Sequence, residues 1–219
     1  MSIEPFRKTR FGYRLIQFTA RAFFKIVFGL RVEGLENVPK TGAFIIAANH
    51  KSLLDPPMVG STCPRELYFA AKRELFSVPV MGAIIKYVNS VPVNRSGYDR
   101  EVITLLGEAM KAGYGIIIFP EGTRYVDEVL HAPKAGIGMI AVRNEVPILP
   151  VFIKGNTILG KQIFRRSLRV KYGVPFNLED LDLEGLIAKE KYRIVAWETM
   201  KRIASIGGVD PPSQNDPTE

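Results

Sequence analysis

Cysteine is nearly absent from this chain, whose 219 residues include a single one, Cys63. One thiol cannot form a disulfide within the chain, so the sequence excludes a disulfide framework and suits a reducing compartment. Pro64 follows the cysteine in a loop-like stretch, and no neighbouring pattern would stabilise a thiolate. We therefore expect Cys63 to be structural rather than nucleophilic.

Several motifs of catalytic and cofactor sites are missing as well. There is no HExxH and no cluster of cysteine and histidine, so no metal is expected. There is no G-x-S-x-G turn to carry a nucleophilic serine. The segment GIGMIA, residues 136–141, superficially fits a dinucleotide-binding fingerprint, but it follows Ala132-Pro133-Lys134 rather than a strand. We interpret it as a packed helix and predict no cofactor.

A long apolar run is missing from the first thirty residues. No stretch of about 18 uncharged apolar residues occurs there, which argues against a conventional membrane-spanning helix. Arg21 and Lys25 interrupt the apolar part of the segment, so it also fits a signal peptide poorly.

The same segment is strongly amphipathic when it is drawn as a helix. At 100° per residue, one arc of about 80° holds Arg7, Arg10, Arg14, Gln17, Arg21 and Lys25. Most of the remaining surface is aromatic or aliphatic and includes Phe11, Leu15, Phe18, Phe24 and Ile26, although Phe28 and Lys8 break the pattern. Such a helix is typical of a membrane interface with anionic headgroups. We favour this interpretation for residues 1–30 over a terminal helix packed on its own domain and over an organelle transit peptide.

The charge of the chain also points to an anionic partner. The formal net charge is +8, and residues 1–31 hold seven basic side chains against one acidic side chain. A basic terminus suits either a membrane surface or a nucleic acid. Hydrophobic residues make up 47% of the sequence, which excludes a disordered chain and is enough for one folded domain with a sizeable core.

After residue 34 the pattern alternates between short strands and helices. Strands are predicted at 30–33, 43–49, 67–71, 91–94, 115–119, 148–153 and 168–172, and helices at 56–61, 74–88, 98–112, 136–144 and 187–205. This alternation predicts an α/β fold: a single domain, residues 31–206, with a mixed, largely parallel sheet flanked by helices. The N-terminal amphipathic helix precedes it, and residues 207–219 read as a disordered tail.

The stretch NHKSLLDPP, residues 49–57, follows a buried-strand pattern and contains one of the two histidines of the chain. His50 and Asp55 cannot face each other on one continuous helix, but a strand end, a turn and a helix start can bring them together. Pro56 suits the first turn of such a helix, and Asp55 could then be only its N-cap. The alternative is a His–Asp dyad, in which the carboxylate fixes the imidazole tautomer and leaves the other nitrogen as a base.

Basic side chains follow three other predicted strands. Arg124 lies in FPEGTR, residues 119–124, Arg95 in SVPVNRSG, residues 90–97, and Lys72 in AAKREL, residues 70–75. Open α/β sheets build their sites at the carboxyl ends of strands, so these groups could form an anion cradle beside His50. Taken singly, each is a solvated loop charge, and Arg124 could instead form an ion pair within its turn.

Four ordered blocks of the sequence resemble those of the glycerolipid acyltransferases. NHKSLLDP resembles the N-H-x4-D block, VPVNR the arginine block, FPEGTR the glycerophosphate-binding block, and VPILPVFIKG, residues 146–155, the fourth, proline-containing block. Their order and spacing match across about residues 30–155. Within this superfamily the chain most resembles the bacterial 1-acylglycerol-3-phosphate acyltransferases, which make phosphatidic acid from lysophosphatidic acid.

The resemblance implies a role for each residue of these blocks. His50 would be the general base and Asp55 its orienting partner, while Lys72, Arg95, Thr123 and Arg124 would bind the acceptor phosphate in a pocket shaped by Glu121 and Gly122. Pro147 and Pro150 would support the site or the acyl donor. The expected partners are a lysophospholipid acceptor, acyl-CoA or acyl carrier protein as the donor substrate, and an anionic membrane surface. The expected location is the cytoplasmic face of the cell membrane, with peripheral or monotopic attachment.

Three alternatives stay open at this point. The acceptor could be another lysophospholipid or glycerol 3-phosphate. The chain could be a basic nucleic-acid-binding module, although this reading leaves the apolar helix face and His50 without a role. It could also be a membrane-associated scaffold without activity. His131, in the loop after FPEGTR, has no assigned role and is expected to be a surface histidine.

Overall fold

A seven-stranded sheet forms the centre of the computed structural model, which describes residues 11–93, 100–125, 127, 129–155 and 168–213. The strands are β1 (Arg31–Glu33), β2 (Phe44–Ala48), β3 (Leu67–Lys72), β4 (Ser90–Val93), β5 (Gly115–Ile118), β6 (Ile148–Lys154) and β7 (Arg169–Tyr172). Their order across the sheet is β1-β7-β6-β2-β5-β3-β4, and every pair is parallel except β6 with β7. The predicted α/β fold with a mixed, largely parallel sheet is confirmed.

Strand β2 lies at the middle of this sheet between β6 and β5. All five of its residues are fully buried, because a central strand covered on both faces needs a continuous apolar sequence rather than an alternating one. Strands β3, β4, β5 and β6 run parallel to β2, so the carboxyl ends of all five open onto one edge of the sheet. This edge holds the residues that the sequence singles out.

Six α-helices accompany the sheet in the described part of the chain: α1 (Phe11–Phe28), α2 (Asp55–Thr62), α3 (Met81–Tyr87), α4 (Arg100–Lys111), α5 (Gly136–Asn144) and α6 (Ala188–Gly207). Short 3-10 turns lie at Leu35–Asn37, Arg73–Ser77 and Leu178–Asp180. Helices α4, α5 and α6 supply the apolar core on one face of the sheet. Helices α1 and α2 pack over the other face.

The single helix predicted over residues 74–88 is wrong, because a 3-10 turn ends at Ser77 and α3 begins only at Met81. Pro79 lies between them, and proline has no N–H to continue a helix. The backbone of the next residue, Val80, has a φ of 62°, which turns the chain sharply before α3 starts. At Gly82 a side chain would meet the carbonyl oxygen of Phe76, so glycine permits the two pieces to pack closely.

Helix α1 packs on the domain with one face and exposes another. Tyr13 and Phe24 are buried, and the Gln17 Nε2 atom donates to the carbonyls of Gly60 and Cys63. The opposite face leaves large apolar side chains in solvent: Phe11, Leu15, Phe18, Phe23 and Ile26.

Two placements on the predicted helical wheel are therefore wrong. Gln17 belongs to the packed face rather than the basic stripe, and Phe24 belongs to the core rather than the exposed apolar surface. Arg14, Arg21 and Lys25 of the stripe are exposed, whereas residues 1–10, with the rest of it, lie outside the described part of the chain. No helix among the described residues is long and apolar enough to cross a membrane. The domain boundaries drawn from the sequence stay predictions.

Candidate active site

His50 and Asp55 meet where β2 gives way to α2. The strand ends at Ala48, the chain turns, and α2 begins at Asp55 itself. The Nδ1 atom of His50 lies 2.8 Å from Oδ2 of Asp55. The Asp55 side chain is fully buried, whereas 16% of the His50 side chain is exposed. The pair therefore has one end inside the domain and one end that solutes can reach.

The carboxylate of Asp55 also holds the turn between the two residues. Its Oδ2 atom accepts hydrogen bonds from the backbone N–H groups of Lys51 at 2.7 Å and Ser52 at 2.8 Å. The interpretation of Asp55 as an N-cap is wrong, since Leu54 occupies that position and Asp55 is the first helical residue. Pro56 and Pro57 follow in the first turn, where their missing N–H groups cost nothing.

The imidazole of His50 is fixed from two sides. Its ring stacks on Phe119 at a centroid distance of 4.0 Å and an interplanar angle of 20°. With Nδ1 directed at Asp55, the remaining ring nitrogen, Nε2, is the one free to exchange a proton with a bound molecule. A neutral imidazole that donates from Nδ1 presents a lone pair at Nε2, which is the state required of a base.

Asn49 is a site residue that sequence reasoning missed. Its side chain donates from Nδ2 to the carbonyl of Ile153 at 3.0 Å, and its Oδ1 atom accepts from the Ile153 N–H at 2.7 Å. The side-chain amide thus continues the pairing of β2 with β6 for one further step and fixes the chain just before His50. A polar residue at the end of a fully apolar run is the signal that could have revealed it.

Glu121 of the FPEGTR turn is 2% exposed and faces inward. Its Oε2 atom accepts a hydrogen bond from the backbone N–H of His50 at 2.7 Å, and its Oε1 atom accepts one from the N–H of His131 at 3.2 Å. Burial raises the pKa of Glu121, while these two N–H donors act in the opposite direction. The alternative ion pair with Arg124 is not formed: the Glu121 carboxylate is buried and faces inward, whereas the Arg124 side chain is exposed.

Other residues of the predicted anion cradle reach the surface. Gly122, Thr123 and Arg124 are exposed, and Gly122 has a φ of 70°, a left-handed conformation that favours glycine. The stem of Lys134 covers Gly122, since a methyl group there would lie 2.8 Å from its Cδ atom. Lys134 therefore adds a positive charge beside the FPEGTR turn.

Lys72 is the last residue of β3 and is exposed at the same edge of the sheet. Strand β3 pairs in parallel with β5, which leads into the FPEGTR turn, so both strands end at this edge. Arg95 lies outside the described residues. The substrate-binding roles of these side chains and of Glu121 stay predictions. Across the described ranges, no group of three or more His, Cys, Asp and Glu side chains could hold a metal ion.

Known proteins resemble the chain over this fold and site. A model of the acyltransferase family matches residues 29–154, which is more than half of the chain. The 1-acyl-sn-glycerol-3-phosphate acyltransferase of Bacillus subtilis is 28% identical over 180 residues, which cover 81% of this chain and 88% of that protein. The enzyme of the same name from Saccharomyces cerevisiae is 33% identical over 201 residues, which cover 84% of this chain and 66% of that protein.

A solved structure agrees with these sequence matches. The crystal structure of the 1-acyl-sn-glycerophosphate acyltransferase PlsC from Thermotoga maritima superposes with a TM-score of 0.69 and 31% identity, covering 90% of this chain and 78% of that one. The family model spans the four blocks as far as Lys154, and the structural match covers nine-tenths of the chain. The chain therefore belongs to the acyltransferase family, as its ordered sequence blocks predict.

Proposed function

We propose that this protein transfers a fatty acyl group from an acyl thioester to the sn-2 hydroxyl of 1-acylglycerol 3-phosphate, giving phosphatidic acid. The observation that carries the proposal is the contact of His50 with the buried Asp55 at the carboxyl end of β2, beside the FPEGTR turn. The names of the relatives, 1-acyl-sn-glycerol-3-phosphate acyltransferases, support this acceptor.

The chemistry follows from the reactivity of the two substrates. A secondary alcohol is a weak nucleophile at neutral pH, so His50 Nε2 would take the hydroxyl proton as the oxygen attacks the thioester carbonyl. The new C–O ester bond forms, the C–S bond breaks, and the thiolate leaves with the proton that the imidazolium returns. A positioned base contributes about 10²–10⁴-fold to such a step. Asp55 would orient the ring and stabilise the imidazolium.

The acceptor phosphate would bind to the basic side chains of the same edge. Arg124 offers a planar fork of donors that suits a phosphate, and Lys72 and Arg95 would add charge. Thr123 and the backbone at Gly122 would supply further donors within the turn. Acyl-CoA or acyl carrier protein would be the acyl donor, and the reaction needs no cofactor, metal or nucleic acid.

The acceptor is a membrane lipid, and the exposed apolar face of α1 suits a membrane surface. Phe11, Phe18 and Ile26 are 85%, 71% and 70% exposed. Each such side chain gains about 1.5–3 kcal/mol when it is buried. Exposed basic residues of the same helix would each add about 1 kcal/mol near anionic lipid.

A second apolar segment lies beside α1. Val78, Val80, Met81 and Ile84 are exposed around the start of α3, and the other end of α3 contacts α1, where Gly12 packs against the Tyr87 hydroxyl. We infer that the exposed side chains of both segments would contact the cytoplasmic face of a membrane, to which the protein would attach peripherally. On this proposal α1 would be both the interfacial helix and the packed terminal helix, through opposite faces.

Mass spectrometry of products tests the reaction. The purified protein is incubated with a panel of lysophospholipids and with glycerol 3-phosphate, each supplied with acyl-CoA or with acyl carrier protein, and His50→Ala serves as the control. We expect phosphatidic acid from lysophosphatidic acid in the wild type and far less from the variant. Preferential acylation of another acceptor would overturn the substrate assignment, and equal activity of the variant would overturn the role of His50.

A further inference from the structure

The second histidine of the chain, His131, contacts the site through Glu121. One carboxylate joins the two histidines, because its Oε2 atom accepts from the His50 N–H and its Oε1 atom accepts from the His131 N–H. Glu121 is buried, so water does not compete freely for these bonds. The main chain at the end of β2 is therefore fastened to the main chain at residue 131.

Tyr125 makes a second connection between the same two residues. Its backbone N–H donates to the carbonyl of His50 at 3.0 Å. Its ring stacks on the imidazole of His131 at a centroid distance of 3.5 Å and an interplanar angle of 11°. His50, Glu121, His131 and Tyr125 thus form a closed ring of contacts, which we call the four-residue ring.

Within this ring the peptide of His50 is held at both polar ends. The His50 N–H donates to Glu121, and the His50 C=O accepts from the Tyr125 N–H. The backbone on both sides of His50 is therefore held against rotation and displacement. These bonds act on the backbone and leave the imidazole to Asp55 and Phe119. The four-residue ring fixes the position of the His50 backbone, and the contact with Asp55 fixes the orientation of its imidazole.

The imidazole of His131 has its own anchor outside the ring. Its Nε2 atom lies 2.8 Å from Oδ2 and 3.0 Å from Oδ1 of Asp127. This contact holds the imidazole in the plane that stacks on Tyr125. The His131 side chain is 26% exposed, and that of Asp127 is 50% exposed, so the pair contributes little to the stability of the fold.

We propose that His131 and Tyr125 are positioning residues for the acyl transfer: His131 through Glu121, and Tyr125 through its own backbone N–H, hold the backbone of His50 at the place from which its imidazole can reach the acceptor hydroxyl. The inference rests on the proposed function. Its physical basis is the steep distance dependence of a positioned base, since a misplacement of about 1 Å costs as much as 10²-fold in rate.

A loosened ring has a defined kinetic signature. The acceptor still meets Lys72 and Arg124, so its KM is unchanged, while the fraction of encounters with a correctly placed base falls and lowers kcat. We expect His131→Ala and Tyr125→Ala each to lower kcat about tenfold. The kcat of the double variant should be about the same as that of either single variant, because both substitutions break the same four-residue ring.

Conservative and control variants separate positioning from simple loss of structure. Tyr125→Phe keeps the stacked ring and the backbone N–H, so it should retain wild-type kcat. Val129→Ala alters an exposed residue of the same loop and should change neither kcat nor the melting temperature. Melting temperatures of all five variants, the double variant included, are measured, since a positioning role predicts lower kcat without a matching loss of stability.

Proton NMR gives a readout that does not depend on turnover. The chain has only two histidines, so His50→Ala and His131→Ala assign the imidazole N–H resonances of both. We expect Tyr125→Ala to shift or broaden the His50 Nδ1–H resonance and Tyr125→Phe to leave it in place. An unchanged resonance together with an unchanged kcat in folded Tyr125→Ala would overturn the inference.

The outcome is distinguishable from a failure of the proposed function. If the wild type acylates a different acceptor, the same kcat comparison is made with that acceptor and still tests the ring. If Tyr125→Ala and His131→Ala raise the acceptor KM and leave kcat unchanged, the loop binds substrate and the positioning role is rejected.

Discussion

Gln17 of α1 donates a hydrogen bond of 2.6 Å to the carbonyl of Cys63, directly after the end of α2. A second bond of 2.9 Å reaches the carbonyl of Gly60. Helix α2 begins at Asp55, whose carboxylate contacts His50. Near its other end, at Gly60, the same short helix binds Gln17 of the exposed apolar helix α1. The surface that we propose for the membrane is thereby joined to the candidate site.

The first prediction concerns this attachment. Gln17→Leu removes both hydrogen bonds and leaves the carbonyls of Gly60 and Cys63 without them, so we expect the free energy of unfolding to fall by about 1–3 kcal/mol. Denaturant titration measures it. Thr19→Ala is the control, because the Thr19 hydroxyl is exposed and bonds only within its own helix. Equal stability of the two variants would contradict a docking role for Gln17.

Substitution of the dyad should remove activity and preserve the fold. His50→Ala is expected to lower kcat by about 10²-fold or more, because it deletes the base. Asp55→Asn keeps an oxygen that can accept from the N–H groups of Lys51 and Ser52 and from His50 Nδ1, but it removes the negative charge. A lower kcat in this folded variant would therefore report on the lost stabilisation of the imidazolium. Combining the two changes should be little worse than His50→Ala alone. Turnover of His50→Ala within about tenfold of the wild type would reject the base assignment.

Arg124 tests the acceptor site. If its guanidinium binds the phosphate, Arg124→Ala should raise the acceptor KM by about ten- to a hundred-fold and leave the donor KM unchanged, since a charge-assisted bond is worth about 1.5–3 kcal/mol. Arg124→Lys should recover only part of this loss. Arg169→Ala, an exposed arginine of β7, is the matched control. An unchanged acceptor KM in folded Arg124→Ala would move the phosphate role to Arg95 and Lys72.

The two faces of α1 should separate membrane binding from stability. Phe18→Asp places a charge on the exposed face, so we expect it to abolish flotation with vesicles that contain phosphatidylglycerol and to leave the unfolding free energy nearly unchanged. Phe24→Ala empties a buried site and should cost about 3–5 kcal/mol of stability while the folded protein still floats. Salt should weaken flotation without abolishing it. Undiminished flotation of Phe18→Asp would exclude this face as the anchor.

Alkaline pH should destabilise the layer formed by α1, α2 and β7. Burial raises the pKa of Cys63 from 9.0 to about 11, and it also raises the pKa values of the Tyr13 and Tyr172 hydroxyls. The unfolded chain loses these protons first, so stability is intact below pH 9 and is lost as the pH rises toward and beyond 11. Denaturant titrations at several pH values should show a smaller loss between pH 9 and 11 in Cys63→Ala. Equal losses would contradict a buried neutral thiol.

Alkylation offers an independent check on the same cysteine. Cys63 is 1% exposed, and its thiol stays protonated at pH 8, so iodoacetamide should react with the folded protein very slowly. In denaturant the same thiol should react at the rate of a free cysteine. Fast alkylation of the native protein would show that the α1–α2 contact opens readily.

The sequence alone determined the strands and the place of the site. A short, continuous apolar run such as Phe44–Ala48 is typical of a buried strand, because it is too short for an ordinary helix. A polar block that follows such a run is then expected at the carboxyl end of the strand. His50, Lys72 and the FPEGTR turn were placed at one edge by this argument. The order of the four blocks identified the family, which the comparisons confirm.

Only the tertiary structure decided which groups contact one another. Periodicity reports which residues share a face of a helix, but it does not say which face packs. The sequence therefore placed Gln17 and Phe24 on exposed faces of α1, whereas in the structure both residues pack on the domain. Spacing allowed Asp55 to be a cap or a partner of His50; in the folded chain Leu54 is the N-cap and the Asp55 carboxylate contacts His50.

The partners of buried polar groups come from distant parts of the chain. Asn49 pairs with Ile153, 104 positions away, and Glu121 accepts from the backbone of His50, 71 positions away. Neither contact leaves a local pattern, because a backbone N–H looks the same at every residue and its partner is fixed only when β2, β5 and β6 lie side by side. For the same reason no role could be assigned to His131 from the sequence, because its contact with Glu121 exists only in the folded chain.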